Sequence, residues 1–214
     1  MPNKTEKNLL FHELIEKVAK ERPNKTALIY MGRRFTYREL VDRFHRFASA
    51  LVRLGIREGD NIGVYLPNTP QSLIAFYGIS RAGATAVLLS AIYSTGELSY
   101  ILKENEIKTI ICSDINIGNI MRIKEDVKLE NIIVTKLDDE LPMIKRVIAR
   151  CFDRVPIGHI PKDTMVCPYR KLIKSKALEI LQIARNWKKK VLFIIYTGGT
   201  TGTPKGVPHT HYET

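Results

Sequence analysis

The chain has 214 residues, of which 44% are hydrophobic and 26% are charged, and its net charge is +12 at neutral pH. These values are typical of an ordinary globular protein that is long enough to bury a core. No apolar run approaches the roughly 20 residues that a membrane-spanning helix needs. Cys112, Cys151 and Cys167 are odd in number and far apart, and the amino terminus has no secretion signal. We therefore expect a cytoplasmic protein without a disulfide framework.

Helical and strand patterns alternate over residues 1–140. Helices are predicted over 9–19, 36–54, 70–82, 94–105 and 116–124. Two of them begin with the spacing of a capping box, at Thr36 with Glu39 and at Ser94 with Glu97. Strands are predicted over 26–31, 61–66, 85–89, 108–112 and 131–135. Several strands are apolar throughout, which indicates burial on both faces. The predicted fold class is α/β, with layered, largely parallel sheets flanked by helices.

Residues 141–190 break this alternation and carry most of the charge. They contain 13 lysines and arginines against three acidic residues. A helical spacing gives an apolar face made of Leu141, Ile144, Val147, Ile148, Cys151, Phe152 and Val155. A loop rich in proline and glycine follows, and then a second predicted helix over about 170–186. We divide the chain into an α/β portion (1–140), a basic helical insertion or subdomain edge (141–190) and a final portion (191–214).

The basic segment has three interpretations. The first is a helix that packs on the sheet and leaves its basic face in solvent. The second is peripheral contact with a membrane, because a basic amphipathic helix can lie in a lipid interface. Nucleic-acid binding is disfavoured, since aromatic residues are sparse in the segment and no recognition motif is present.

A strand over 191–195, VLFII, runs into the loop TGGTTGTPKG (197–206). Its glycines allow backbone conformations that point successive N–H groups into one concavity. The threonines add hydroxyl donors, and Lys205 adds a positive charge. The loop therefore predicts a polyphosphate site, whose residues are Thr197, Gly198, Gly199, Thr200, Thr201, Gly202, Thr203, Pro204 and Lys205. The alternative is a glycine-rich surface turn.

This loop differs from a Walker A loop, in which a helix follows the lysine. Here Lys205 lies between Pro204 and Gly206, and Pro208 follows soon after, so no helix can begin at the lysine. We predict a strand–loop–strand element instead. His209 and His211 have the spacing of a metal pair on a strand, but without a third ligand metal binding is disfavoured.

The stretch YTGGTTGTPKGV (196–207) resembles the signature loop of the adenylate-forming (ANL) superfamily, which includes acyl-CoA synthetases, luciferases and adenylation domains of peptide synthetases. It differs at Gly198, where serine is commoner. Residues 24–70, 81–89 and 94–102 are similar to further segments of the superfamily, and 140–190 is the weakest part. The resemblance implies the first part of the large N-terminal domain of an acyl-CoA synthetase.

The resemblance also implies a two-step reaction on a small-molecule carboxylate. The carboxylate attacks the α-phosphate of ATP, and the thiol of coenzyme A then displaces AMP to give a thioester. Residues 197–205 would hold the β- and γ-phosphates, Thr197 would also reach Mg²⁺, and Lys205 would stabilise phosphate charge. A medium- or long-chain fatty acid is the favoured substrate. The alternatives are another adenylating enzyme for an aryl or amino acid, or a non-catalytic nucleotide-binding protein if the chain is complete. Homodimerisation is left open.

The remaining active-site residues of the superfamily follow this loop. They bind adenine, ribose, magnesium and the acyl group, and they include a C-terminal catalytic lysine. We assign no catalytic residue within 1–214. Thr210 and Glu213 repeat the capping-box spacing, which predicts a helix that starts at 210 and is cut in its first turn. We therefore expect the N-terminal portion of a larger ligase, and we expect this portion to be inactive by itself.

Overall fold

The computed structural model describes residues 9–151, 156–178, 190–197 and 204–212, without the side chains of 148–151. The helices of this part are α1 (Phe11–Glu21), α2 (Tyr37–Arg53), α3 (Pro70–Arg81), α4 (Thr95–Glu104), α5 (Ile117–Ile123), α6 (Met143–Cys151) and α7 (Tyr169–Ile173). The strands are β1 (Thr26–Tyr30), β2 (Arg33–Thr36), β3 (Asn61–Tyr65), β4 (Thr85–Leu88), β5 (Thr109–Ser113), β6 (Asn131–Thr135), β7 (Val166–Pro168), β8 (Val191–Thr197) and β9 (Lys205–Thr210).

One seven-stranded sheet organises these elements, in the order β7-β6-β5-β3-β4-β8-β9. All neighbouring pairs are parallel except β8 with β9, which is antiparallel. Strands β1 and β2 form a separate antiparallel hairpin. The predicted α/β class with a largely parallel sheet is confirmed.

Two apolar layers cover the sheet, one on each face. Ile62 and Ile111 point to the face that α1, α2, α3 and α7 cover. Tyr65 and Ile110 point to the opposite face, which α4 and α5 cover. Because successive residues of a strand point to opposite faces, a strand between two helical layers must be apolar at every position. This explains the continuous apolar runs in the sequence.

Both predicted capping boxes are confirmed. The hydroxyl oxygens of Thr36 and Ser94 accept hydrogen bonds from the N–H groups of Glu39 (3.2 Å) and Glu97 (3.3 Å). Each glutamate in turn accepts from the N–H of its cap residue, at 2.8 Å in both cases. These bonds satisfy donors that would otherwise have no partner at the start of a helix. The predicted helix over 9–19 lies two residues later, at Phe11–Glu21.

Two short strands were not predicted, and the predicted helix over about 170–186 is wrong at 174–178. Strand β7 pairs with β6 at the edge of the sheet, a position that tolerates Pro168 because an edge strand has backbone groups without a strand partner. Helix α7 ends at Ile173, and 174–178 are not helical. The N–H and hydroxyl of Ser175 both donate to Leu172 O, at 3.2 and 2.6 Å, which closes the turn. The rest of the predicted helix, up to 186, lies outside the described residues.

The observed orientation of α6 differs from the first interpretation of the basic segment, in which the helix packs on the sheet and leaves its basic face in solvent. Of its predicted apolar face, Ile144 is 76% and Val147 55% exposed, while Leu141 is buried but precedes the helix. The basic residue Arg146 contacts the rest of the protein instead. Its guanidinium donates hydrogen bonds to the carbonyl oxygens of Asp138 (3.1 Å), Asp139 (3.0 Å) and Leu141 (3.2 Å). Ile144 and Val147, the described residues of this face within α6, therefore do not pack on the sheet. The side chains of Ile148, Cys151, Phe152 and Val155 lie outside the description.

A buried carboxylate joins three parts of the fold. Glu140 is 1% exposed. Its carboxylate accepts from the hydroxyl of Tyr169 on α7 at 3.1 Å and forms ion pairs with Arg43 of α2 (3.3 Å) and Arg33 of β2 (3.6 Å). A buried carboxylate is stable only when it is paired in this way. These contacts attach the hairpin and α7 to the main sheet.

Candidate functional site

The predicted phosphate loop connects two paired strands. Strand β8 extends two residues past the predicted end, to Thr197, and β9 begins at Lys205. The two strands are antiparallel, with Thr197 opposite Lys205 and Tyr196 opposite Gly206. The predicted strand–loop–strand element is therefore confirmed in its two strands, and the lysine lies on a strand rather than on a helix.

Three of the nine predicted phosphate-binding residues lie within the described part of the chain. They are Thr197, Pro204 and Lys205. The other six, Gly198, Gly199, Thr200, Thr201, Gly202 and Thr203, lie outside it. Thr197 and Lys205 are exposed at the two ends of the loop, and the Thr197 hydroxyl donates to Lys205 O at 3.4 Å. Lys205 forms no ion pair with any described residue, so its ammonium group is available to an anion.

The two ends of the loop, Thr197 and Lys205, lie at the carboxyl edge of the sheet, where the chain changes direction. After β3 the chain passes to α3 on one face, and after the neighbouring β4 it passes to α4 on the other face. In open α/β sheets, ligands bind in the crevice that such a divergence creates. Strand β8 is the next neighbour of β4, so the loop begins beside this crevice.

An open groove of about 590 Å³ occupies the crevice. Its walls are mainly apolar and include Leu66, Phe76, Leu88, Tyr93, Ile195 and Tyr196. Asn68, Ser72 and Ser90 add polar groups. The groove and the loop share the end of β8, so this edge of the sheet places an apolar surface next to a set of donors and one cation. Such an arrangement can receive a ligand with one anionic and one apolar part.

Sequence reasoning missed the residues that hold the start of the loop. The Tyr196 hydroxyl donates to the carboxylate of Glu104 and accepts from Asn105 Nδ2 at 2.6 Å. The Tyr93 hydroxyl donates to Tyr196 O at 3.2 Å. Burial, and then the hydrogen bond to Glu104, raise the pKa of Tyr196 to about 12, so this phenol remains a neutral donor at physiological pH. No local pattern links these residues, because about 90 positions separate Tyr196 from Glu104 and Asn105.

The two histidines after the loop make structural contacts. The His209 ring stacks on Phe193 with centroids 4.6 Å apart. His211 Nδ1 accepts the N–H of Phe11 at 3.1 Å, and burial lowers the pKa of His211 to about 4. Within the described residues, no group of three side chains suited to a metal ion occurs.

Comparison with known proteins gives the family. The family model described as AMP-binding enzyme matches residues 15–214. The chain belongs to the AMP-binding enzyme family. The chain is 30% identical, over 214 residues, to a long-chain-fatty-acid–CoA ligase of Bacillus subtilis, covering 99% of the chain and 37% of that relative. It is 28% identical over 197 residues to 4-hydroxybutyrate–CoA ligase 2 of Metallosphaera sedula, covering 92% of the chain and 33% of that relative.

Solved structures give the same result for the fold. The anthranilate CoA ligase AuaEII, solved with anthranoyl-AMP, is similar with a TM-score of 0.78 and 25% identity, over 96% of this chain and 35% of that one. A long-chain-fatty-acid–CoA ligase of Archaeoglobus fulgidus is similar in fold, with a TM-score of 0.75 and 24% identity, over 95% of this chain and 37% of that one. The chain thus spans about a third of the length of these relatives, and the predicted resemblance to the adenylate-forming superfamily is confirmed.

Proposed function

We propose that this chain provides the ATP-phosphate site of an ATP-dependent carboxylate–CoA ligase. The observation that carries the proposal is the position of Lys205, which is exposed and without an ion pair among the described residues, at the carboxyl edge of a parallel sheet in an AMP-binding enzyme. A fatty acid is the favoured carboxylate, since long-chain-fatty-acid–CoA ligases recur among the relatives. An aryl acid is the alternative, as in the anthranilate ligase.

The proposed reaction begins by joining two anions. A carboxylate oxygen bonds to the α-phosphorus of ATP while the bond to the β-phosphate oxygen breaks, and pyrophosphate leaves. The sulfur of coenzyme A then bonds to the acyl carbon, and AMP leaves. Positioning and charge neutralisation dominate the first step. Lys205 and the donors of residues 197–204 would hold the β- and γ-phosphates and stabilise the charge that grows on the pyrophosphate.

Mg²⁺ would supply further charge neutralisation on the phosphates. The Thr197 hydroxyl, exposed at the start of the loop, would be the group of this chain that holds the ion. We also propose that the protein is cytoplasmic, and the free thiols of Cys112 and Cys167 support this location.

Pyrophosphate release tests this proposal. The complete protein is assayed with ATP, Mg²⁺, coenzyme A and a panel of alkyl, aryl and amino acids. We expect Lys205→Ala to lower kcat/KM for ATP by about a hundredfold or more. Lys108→Ala serves as the control. Lys108 is an exposed lysine that pairs with Glu130 at 2.9 Å, and it lies at the amino edge of the parallel strands, away from Lys205. ATP binding without pyrophosphate release for any acid would favour a non-catalytic nucleotide-binding protein instead.

We propose in addition that α6 and the β1–β2 hairpin contact a membrane surface that contains anionic lipid. Met143, Ile144 and Val147 of α6 are 78%, 76% and 55% exposed, and Ile29 and Met31 of the hairpin are 60% and 48% exposed. A bond from Lys145 Nζ to Met31 O, at 3.5 Å, brings the two elements together. Apolar side chains flanked by basic residues are suited to an anionic lipid interface. No helix of the described residues is long and apolar enough to cross a membrane.

Vesicle flotation tests this contact. We expect the protein to float with vesicles that contain anionic phospholipid and to remain unbound with neutral vesicles. Replacing Ile144 and Val147 together by serine should abolish flotation. Ile92→Ser is the matched control, because Ile92 is 90% exposed on the β4–α4 connection, away from α6. Equal flotation of the double variant and the control would contradict the proposal.

A further inference from the structure

We infer that Tyr196 and Glu104 position the phosphate-binding loop, and that Gly206 is required because the Tyr196 ring lies against it. The inference rests on the proposed function, since it concerns the same loop. Tyr196 and Glu104 are positioning residues, because they act through the ends of the loop rather than on ATP.

The first step is the attachment of Tyr196 to the end of α4. Tyr196 is 6% exposed and directly precedes Thr197. Glu104 is the last residue of α4, and its two carboxylate oxygens are shared between two phenols. Oε2 accepts from Tyr196, and Oε1 accepts from Tyr100 at 3.1 Å. Asn105 Nδ2 also donates to Ile101 O at 2.8 Å, so the amide that binds Tyr196 is itself fixed to the helix. The Tyr196 hydroxyl is therefore held from two sides.

The second step concerns the backbone of Tyr196. Tyr93 lies in the connection between β4 and α4, and its hydroxyl donates to Tyr196 O at 3.2 Å. The hydroxyl and the carbonyl of Tyr196 are thus both bound by the β4–α4 region. Helix α4 packs against the sheet, and its Leu98 and Ile101 are fully buried. The last buried residue before the loop consequently has little freedom.

The third step links Tyr196 to the other end of the loop. Gly206 lies opposite Tyr196 in the β8–β9 pair. A Cβ atom at 206 would lie 3.0 Å from Tyr196 Cζ and 3.1 Å from its hydroxyl oxygen. These distances are shorter than an ordinary van der Waals contact, so the ring would have to shift, and its bonds to Glu104 and Asn105 oppose that shift. The glycine after Lys205 is therefore explained by packing.

Together these contacts fix the register of the two strands at the loop. Thr197 and Lys205 are the neighbours of the Tyr196–Gly206 pair, so the pair determines which residues emerge at the loop ends. A slip of one residue would move Lys205 to the other face of the sheet. Loosening the pair would leave the fold intact while Thr197 and Lys205 lose their fixed positions, and ATP would then have to order these two residues on binding.

Steady-state kinetics of Tyr196→Phe and Glu104→Gln in the complete protein test the inference. We expect each variant to raise KM for ATP and lower kcat, with kcat/KM for ATP reduced on the order of tenfold or more. KM for the carboxylate and Tm should stay close to the wild-type values, a result that a purely structural role would not give. Gly206→Ala should produce the same kinetic pattern. Tyr30→Phe is the matched control, because it removes a tyrosine hydrogen bond, to Leu137 O at 3.3 Å, remote from the loop.

Two results would overturn the inference. The first is wild-type ATP kinetics in both Tyr196→Phe and Glu104→Gln. The second is additivity of the two changes in the double variant, since residues that act through one bond must be coupled. If Lys205→Ala impairs ATP use and these variants do not, only the positioning role fails. If Lys205→Ala also has no effect, the proposed function fails.

Discussion

Helices α2 and α6 both carry apolar residues three and four positions apart, yet they present these residues in opposite directions. In α2, Leu40, Phe44 and Phe47 are at most 1% exposed, and a surface pair of Asp42 with Arg46, at 2.9 Å, lies on the other side. In α6, Ile144 and Val147 are more than half exposed, and the contact with the protein is made by Arg146.

The difference shows that an amphipathic pattern defines two faces of a helix but not which face meets the protein. Helix α2 lies over the sheet with α1, α3 and α7 around it, so burying its apolar face removes much surface from water. Helix α6 follows the turn after β6, and the carbonyl oxygens of Asp138, Asp139 and Leu141 accept hydrogen bonds from Arg146. These bonds from a charged donor hold the basic side of the helix against the rest of the protein.

The largest expected effect is in the core of α2. Phe44→Ala should lower the free energy of unfolding by about 3–5 kcal/mol, because the ring is fully buried and its removal leaves a cavity. Urea denaturation followed by circular dichroism measures this change. A loss below about 1 kcal/mol would mean that the site collapses around alanine or that α2 is less essential to the core than its burial indicates.

Helix α1 adds a third case to the comparison of α2 with α6, because it buries a polar residue. His12 is 3% exposed, and its Nδ1 lies 3.0 Å from Ser80 Oγ. Burial lowers the pKa of His12 to about 3 and that of His211 to about 4, below the ordinary value of 6.5. The unfolded chain therefore binds more protons than the folded chain below pH 6.5, and stability should fall as the pH is lowered through this window.

The expected slope is at most about 1.4 kcal/mol per pH unit for each of these two histidines, and stability should be fully present above pH 6.5. Denaturation curves at several pH values measure it. His12→Gln should flatten the dependence, whereas His159→Gln should not, because His159 is exposed. An unchanged slope in His12→Gln would show that other groups dominate the acid sensitivity.

The smallest expected effects on the free energy of unfolding come from substitutions on the two sides of α6. Arg146→Ala should lower the free energy of unfolding by about 1–2 kcal/mol, because three carbonyl oxygens lose a charged donor. Ile144→Ala should change it by less than about 0.5 kcal/mol, as is usual at exposed positions. Thermal and urea unfolding of both variants check the order. The reverse order, with Ile144 the more important residue, would show that the apolar face is covered by protein.

Most of the fold could be predicted where local and tertiary preferences agree. Strand β6 lies at its predicted position, and both capping boxes form, because these features depend on neighbouring residues. Strands β2 and β7 have no periodic pattern of their own and exist through pairing with β1 and β6. The phosphate site of the loop stays a prediction, made from its glycines, threonines and lysine. Its attachment to Glu104 and Asn105 was not found, because the contact joins distant parts of the chain.

The sequence by itself determined the class of fold and the family, and it predicts a phosphate-binding chemistry for the loop at 197–206. Apolar periodicity, capping residues and a dense set of donors are local properties that every folded context must accommodate. Only the tertiary structure decided which face of α6 meets the protein, why glycine follows Lys205, and which side chains hold Tyr196. These outcomes depend on where carbonyl oxygens, rings and carboxylates come together in space, and residues about 90 positions apart acquire that proximity only through the sheet.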